Sequence, residues 1–181
     1  ISTFWGDIKD PQQALKPQFY QSKLFNNAGY ANIEYKLSDR FTGQLGVRYD
    51  NLDQEITYVT AIFSNGGIIN KNYSKLLPSL NLKYAVNDNN NLRFSASKTY
   101  TTPLLIELAP YEYEEIDELS FGNVDLNPAD NYNVDLKWEW FPNRSEVISV
   151  TAFGKYIIDP IARVTVNSSS NSVSFVNTGD S

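Results

Sequence analysis

The chain of 181 residues contains no cysteine, no methionine and no histidine. Without cysteine it forms neither disulfides nor a thiolate nucleophile. Without cysteine or histidine, a structural zinc site would need an all-carboxylate shell, which zinc sites do not favour. Mechanisms that use imidazole as a general base are excluded as well. We therefore expect a protein that is not an enzyme and that has no catalytic residue, no metal site and no cofactor.

Long apolar runs and an excess of positive charge are also missing. No stretch of 18 apolar residues occurs, so the sequence encodes no transmembrane helix. The net charge of −6 argues against a general affinity for nucleic acid or anionic lipid. The chain starts at Ile1 and lacks methionine, which indicates a piece of a longer protein. The lack of a signal peptide therefore carries no information about export.

What the sequence does contain is alternation of apolar and polar residues. In residues 131–140 the even positions are Tyr, Val, Leu, Trp and Trp, and the odd positions between Tyr132 and Trp140 are Asn, Asp, Lys and Glu. Side chains of a β-strand point alternately to its two faces, so this segment predicts a strand with one apolar and one ionic face. At least five other segments repeat the pattern. The sequence predicts an all-β protein.

The connections between the predicted strands alternate in length. We interpret residues 1–181 as one unit, with an irregular lead-in over 1–23 and strands over 24–181. Short turns are predicted at 38–40, 87–91 and 142–145, and long loops at 59–73 and 102–129. Antiparallel neighbours place like faces side by side, so Leu37 should lie opposite Phe41 across a three-residue turn. The pattern predicts an antiparallel up-and-down meander of about seven or eight strands.

The possible interpretations of this meander differ mainly in what the apolar face contacts. Short turns at one end and long loops at the other are typical of transmembrane β-barrels. Aromatic residues also cluster near the strand ends, as they do at both lipid–water boundaries. These features favour a segment of a larger transmembrane β-barrel. The alternatives are a soluble β-sandwich that binds carbohydrate or protein, and a passive porin or barrel-assembly protein.

Several segments together resemble the C-terminal part of the barrel of TonB-dependent outer-membrane receptors. They occur in family order over about residues 25–180, at 46–50 (Gly-Val-Arg-Tyr-Asp), 77–84, 91–95, 99–103, 107–110, 122–128, 131–140, 150–156 and 159–161. The chain departs from the family pattern at Thr102, where arginine is frequent, and at Val124, where proline is common. Neither departure changes the strand pattern.

The resemblance implies a part of a receptor in the outer membrane of a Gram-negative bacterium that takes up a scarce nutrient. The nutrient would be a ferric siderophore, cobalamin or an oligosaccharide. The implied partners are outer-membrane lipid, the ligand, and an energy-coupling complex reached through a plug domain absent from this chain; nucleic acid is not among them. Barrels of this family have about 22 strands, so the chain is expected to be a fragment without a plug, whose free strand edges need partners.

The densest polar and aromatic cluster lies within the predicted loop 102–129. It comprises Tyr111, Glu112, Tyr113, Glu114, Glu115, Asp117 and Glu118. An acidic, tyrosine-rich outer loop can contact a cationic or sugar-like ligand, or offer hard oxygen atoms to Ca²⁺. The alternative is a solvated loop of ordinary acidic composition. We take these residues as the candidate ligand-binding site and predict no metal site.

Overall fold

The computed structural model describes residues 19–59, 65–108, 112–115, 118–166 and 172–179. These residues form ten strands and one four-residue helix. In chain order they are β1 (Phe19–Lys36), β2 (Phe41–Val59), β3 (Gly67–Asn87), β4 (Asn90–Thr101), α1 (Leu105–Leu108), β5 (Glu112–Glu115), β6 (Glu118–Phe121), β7 (Ala129–Asn143), β8 (Glu146–Ile158), β9 (Ile161–Thr165) and β10 (Ser172–Asn177). Among the described residues, no helix is long and apolar enough to cross a membrane.

The six longest strands form one sheet in the order β1-β2-β3-β4-β7-β8. Every neighbouring pair in this sheet is antiparallel. The order of the strands in the sheet is also their order along the chain. The predicted all-β, up-and-down meander is therefore confirmed. The meander itself has six described strands, because the segments after β8 join a second sheet instead of continuing the first.

The turns at one end of the main sheet are short. The amide of Leu37 donates to the carbonyl of Phe41 over 2.9 Å, and Lys36 lies opposite Thr42. The predicted three-residue turn and its register are thus confirmed. The β3–β4 and β7–β8 hairpins turn at 87–90 and 143–146, at the same end of the sheet. The long connections leave from the opposite end.

The register extends each face across the sheet. One row of directly paired residues consists of Ile33, Leu45, Leu80, Ala96 and Val134. The neighbouring row, on the other face, consists of Glu34, Gln44, Asn81, Ser95 and Asp135. In the apolar row Ile33, Leu45 and Val134 are exposed, at 72%, 64% and 46%. The apolar face does not pack against the second sheet, as a β-sandwich would require.

The backbone pairing between β3 and β4 stops at Ser79 and Ser97, although β4 continues to Thr101 on its β7 side. Pro78 is the next residue of β3. Proline carries no amide hydrogen, so it cannot donate to a ladder and is disfavoured between two partners. Toward the long connections, β3 stays paired with β2 and β4 stays paired with β7. Among the described residues, β3 and β4 are connected there through side chains.

The second sheet has the order β5-β6-β10-β9 and is built from the long connections. The segment between β4 and β7 supplies β5 and β6, and the segment after β8 supplies β9 and β10. Strands β6 and β10 are parallel. A small core joins these connections to the main sheet, with Ile56, Leu108 and Leu126 fully buried at its centre. Tyr20, Tyr58, Ile69, Ile161 and Phe175 pack around it.

Three predicted connections are shorter than expected. β1 begins at Phe19, so the lead-in predicted over 1–23 is wrong from that residue on. β2 and β3 extend into the loop predicted at 59–73 and leave only 60–66 between them. The stretch 102–129 contains α1 and the β5–β6 hairpin. Polar residues can occupy these strands because backbone partners on neighbouring strands satisfy their hydrogen bonds, which local composition does not reveal.

The chain leaves the main sheet at the end of β8. β8 ends at Ile158, and β9 starts at Ile161 in the other sheet. Asp159 lies between them with φ of 53°, a left-handed conformation that Asp tolerates better than most residues. Pro160 follows, and it cannot donate to a ladder. These two residues turn the chain out of the main sheet.

Candidate functional site

The polar face of the main sheet is concave. Side chains from all six of its strands line a broad open concavity, among them Glu34, Lys83, Arg93, Asp135 and Lys137. Successive side chains of a strand point to opposite faces, and these residues alternate with the apolar residues of their strands. They therefore all lie on the face opposite the apolar one. The concavity is wide and open to solvent, so it suits a polar solute or a polar protein surface better than a small apolar ligand.

A three-residue ion cluster lies on this face near the short turns. Glu139 is buried, and its two carboxylate oxygens accept from the Arg93 Nε atom at 2.8 Å and the Lys137 Nζ atom at 3.0 Å. A buried carboxylate needs such partners, because transferring an unpaired charge from water into the protein costs roughly several kcal/mol. The cluster fixes Arg93 and Lys137 on the inner surface of neighbouring strands β4 and β7.

At the other end, the long connections are anchored to the inner surface of β2 and β3. Leu126 is 1% exposed and contacts the core around Ile56. Its carbonyl accepts from the Lys71 Nζ atom at 3.5 Å and from the Tyr73 hydroxyl at 3.4 Å. Burial raises the pKa of Tyr73 above its ordinary value, so the phenol stays a donor at neutral pH. The connection is held by apolar contact and by hydrogen bonds to its backbone.

A buried carboxylate lies beside this anchor. Asp50 is 3% exposed, and its two oxygens accept from the Arg48 Nε atom at 2.6 Å and the Tyr100 hydroxyl at 2.9 Å. Burial of Tyr100, together with its hydrogen bond to the Asp50 carboxylate, raises the pKa of Tyr100 to about 12. Tyr100 therefore remains protonated at physiological pH and links β4 to β2 across the gap beside Pro78.

A second bridge crosses the same gap. The Asp130 carboxylate accepts from the Lys75 Nζ atom at 2.6 Å and from the Lys98 Nζ atom at 2.9 Å. Partial burial opposes ionisation of Asp130, but the hydrogen bonds and charges of the two lysines outweigh it and lower the pKa of Asp130. The side chain is thus ionised at neutral pH and joins β3, β4 and β7 where the β3–β4 backbone ladder is absent.

The structure places the acidic, tyrosine-rich candidate site in the second sheet. Residues Glu112–Glu115 form β5, which pairs antiparallel with β6 from Glu118 on. Tyr111 and Asp117 lie outside the described residues, and for 112–115 and 118–119 the structure describes the backbone alone. Glu115 and Glu118 are brought opposite each other as a backbone pair. Residues Glu112–Glu115 and Glu118 therefore belong to a hairpin at the end of the molecule where the long connections lie, and the role of the seven candidate residues in binding stays a prediction.

Sequence reasoning did not identify the Asp50, Asp130 and Glu139 clusters as units. Most of their partners are 30 to 55 positions apart in the sequence; Lys75 and Asp130, for example, are 55 apart. The Arg93–Glu139 pair could have been found by aligning the faces of β4 and β7, whose alternation is clear in the sequence. Where side chains are described, no three His, Cys, Asp or Glu residues converge on a metal-sized site.

Comparisons with known proteins agree with this architecture. A sequence model of the family described as TonB dependent receptor-like, beta-barrel matches residues 3–181. A double mutant of the hemophore receptor HasR of Serratia marcescens, in complex with its hemophore HasA and heme, has a TM-score of 0.67 at 15% identity. The match covers 84% of this chain and 29% of that receptor.

Two further solved structures are similar over 90% of this chain, each with a TM-score of 0.59. They are the ferric yersiniabactin uptake receptor FyuA from Yersinia pestis, at 15% identity, and the ferric-catecholate import receptor Fiu from Escherichia coli K12, at 14% identity. The matches cover 23% and 24% of those receptors. At such identities the likeness shows a shared fold, and this chain spans less than a third of each of the three receptors.

Proposed function

Because the chain belongs to the TonB-dependent receptor-like β-barrel family, we propose that it forms part of the barrel wall of a nutrient transporter in the outer membrane of a Gram-negative bacterium. The resemblance noted from the sequence motifs is confirmed at the level of the family. Family and similar structures are receptors, and the proposed role of this chain is transport without covalent chemistry. A soluble β-sandwich is not favoured, since the apolar face is exposed.

The two-faced main sheet is the observation that carries this proposal. Its exposed apolar face is bordered by aromatic side chains, with Trp138 and Trp140 toward the short turns and Tyr132 paired with Tyr156 toward the long connections. Eight residues separate Tyr132 from Trp140. At roughly 3.3 Å per residue and a tilt of about 40–45°, they span about 20 Å, close to the apolar band of an outer-membrane barrel. The proposed lipid contact follows from this match.

We propose that the ligand is a small iron-bearing molecule, such as a ferric siderophore or haem. The similar structures are receptors for heme with its hemophore, for ferric yersiniabactin and for ferric catecholates, which supports iron over cobalamin or an oligosaccharide. The β5–β6 hairpin, with the candidate residues Tyr111, Glu112, Tyr113, Glu114, Glu115, Asp117 and Glu118, would lie at the outer mouth and contact the ligand. An energy-coupling complex would act through parts of the receptor outside this chain.

Spin labels placed singly at Leu136 and Asp135 in the intact receptor test the orientation of the sheet. The two residues are consecutive but lie on opposite faces. The label at position 136 should collide with oxygen, which partitions into lipid, and the label at 135 with a water-soluble relaxation agent. The reverse result, or equal shielding of both labels, would refute the proposed wall.

Uptake of radioactive ferric chelates by cells that express the intact receptor tests the proposed ligand class. Tyr113→Phe removes a hydroxyl that can donate to the oxygen atoms of a chelate and should lower uptake at limiting chelate concentration, while Tyr35→Phe, toward the short turns at the opposite end, should not. Uptake of cobalamin or oligosaccharide instead of iron would overturn the ligand class without affecting the barrel.

A further inference from the structure

Four basic residues stand in a single register row on the concave face. Lys36 lies opposite Thr42, Thr42 opposite Lys83, Lys83 opposite Arg93, and Arg93 opposite Lys137. The row thus runs across five neighbouring strands with Thr42 as its one neutral member. This row, called the basic row below, lies toward the short turns, and four of its members line the concavity: Thr42, Lys83, Arg93 and Lys137.

Like charges directly opposite each other on neighbouring strands are destabilising, so the basic row needs compensating anions. Three acids share this part of the face. Glu139 compensates Arg93 and Lys137 through its two ion pairs. Asp135 accepts from the Ser95 hydroxyl at 3.2 Å. Neither Asp135 nor Glu34 lies within ion-pair distance of the row among the described residues.

Lys83 is the least compensated member of the centre of the row. It lies beside Arg93, and no carboxylate of the described residues forms an ion pair with it. The Lys83 ammonium and the remaining donors of Arg93 and Lys137 face one concavity. Such a group of donors matches an anionic oxygen cluster, since charge-assisted hydrogen bonds to carboxylate or phosphate are the strongest that these side chains make.

We propose that the basic row is an anion-binding step on the inner wall, which a solute bearing carboxylate or phosphate groups contacts as it crosses the lumen. This inference rests on the proposed transport function and adds a charge class and a location to it. The row lies at the short-turn end, away from the mouth with the β5–β6 hairpin, so it would act late in passage. Its partly neutralised charge favours transient contact over tight retention.

The test uses a single cysteine in the row of the intact receptor. Thr42→Cys places a thiol directly opposite Lys83, and this chain contributes no other cysteine. The rate of modification is measured with an anionic and a cationic methanethiosulfonate reagent, and the ratio of the two rates is taken. Because both reagents attack the same thiolate, the ratio reports the local potential and not the reactivity of the thiol.

The ratio should favour the anionic reagent, and Lys83→Gln should lower it. A unit charge about 6 Å away changes the rate of a monovalent reagent roughly threefold in a water-like dielectric, so the ratio should fall about tenfold at low salt. The preference should shrink in high salt because of screening. Citrate at constant ionic strength should slow the anionic reagent in the presence of Lys83 and have little effect in its absence.

Lys155→Gln is the matched control. Lys155 is on the same face, but it pairs with Asn133 in β7, far from Thr42 across the sheet, so its removal should leave the ratio unchanged. No preference for the anionic reagent, an equal effect of both lysine variants, or no reaction with either reagent would overturn the basic row as a solute contact. The spin-label test at Leu136 and Asp135 reports on the barrel separately, so the two failures can be distinguished.

Discussion

Leu126→Ala should release the long connection between β4 and β7 from the inner surface of the sheet. Leu126 is 1% exposed and packs against Ile56 and Leu108, which are both fully buried. The hydrogen bonds that Lys71 and Tyr73 donate to residue 126 use its carbonyl, so the substitution leaves them in place. It therefore isolates the apolar part of the anchor.

The expected loss can be worked from the side chain. Leucine has three more carbon atoms than alanine, and at about 0.8 kcal/mol for each buried carbon the transfer loss is about 2.4 kcal/mol. An unfilled cavity brings measured values for such buried sites to roughly 2–5 kcal/mol. Since about 1.4 kcal/mol corresponds to a tenfold change in an equilibrium constant, opening of the connection should become at least roughly 50-fold more frequent.

Hydrogen exchange of the intact receptor, followed by mass spectrometry, measures this opening. Peptides that cover β6 and β10 should exchange faster by that factor, because both strands belong to the sheet that the core anchors, while the β7–β8 ladder should keep its protection. Leu104→Ala is the control, because Leu104 lies in the same connection but is 62% exposed. An acceleration below about threefold, or equal effects of both variants, would refute the assignment of Leu126 as the apolar anchor.

Three further predictions concern the wall and its side-chain bridges. Leu136→Arg puts a charge at the middle of the apolar band and should cost about 2–4 kcal/mol of folding free energy. The loss should appear on gels as a smaller fraction of folded, heat-modifiable receptor, whereas Asn133→Arg on the concave face should fold normally. Equal folded yields of the two variants would contradict the assigned faces. Tyr100→Phe removes a hydrogen bond from Asp50 and should lower stability in urea by about 1–3 kcal/mol; an unchanged midpoint would contradict the bridge. The pKa of Asp130 is lowered from 3.8 in the folded protein, so the stability that its ion pairs contribute is complete above pH 3.8 and is lost as the pH falls through the folded pKa. The stabilities of the wild type and Asp130→Asn should therefore converge in acid. A difference that stays constant with pH would exclude the ion pairs as the source of that stability.

The main sheet could be predicted because its information is local. The period of two in residues 131–140 fixes both faces of β7, and the need to match faces places Leu37 opposite Phe41. The short turns followed from the same patterns. Each of these inferences concerns residues that are neighbours in the sequence or are joined by a tight hairpin.

The second sheet and the bridges depend on pairs that are distant in the sequence. β6 pairs with β10, and Asn127 exchanges hydrogen bonds with Asn177, 50 positions away. No local pattern specifies such partners. The sequence therefore predicts a loop for the acidic segment 112–118. The basic row is an intermediate case. Each of its cations alternates with apolar residues in its own strand, but their alignment appears only when the register of five strands is combined.

The parallel pairing of β6 with β10 also sets an order of events. A parallel pair cannot close as a hairpin, and its two strands come from segments separated by the whole of β7 and β8. The entropy of closing so large a loop must be offset before the contact forms. We therefore expect the second sheet to form late, after the last strand of the meander has paired, and resistance of residues 118–121 to protease should mark molecules whose folding is finished.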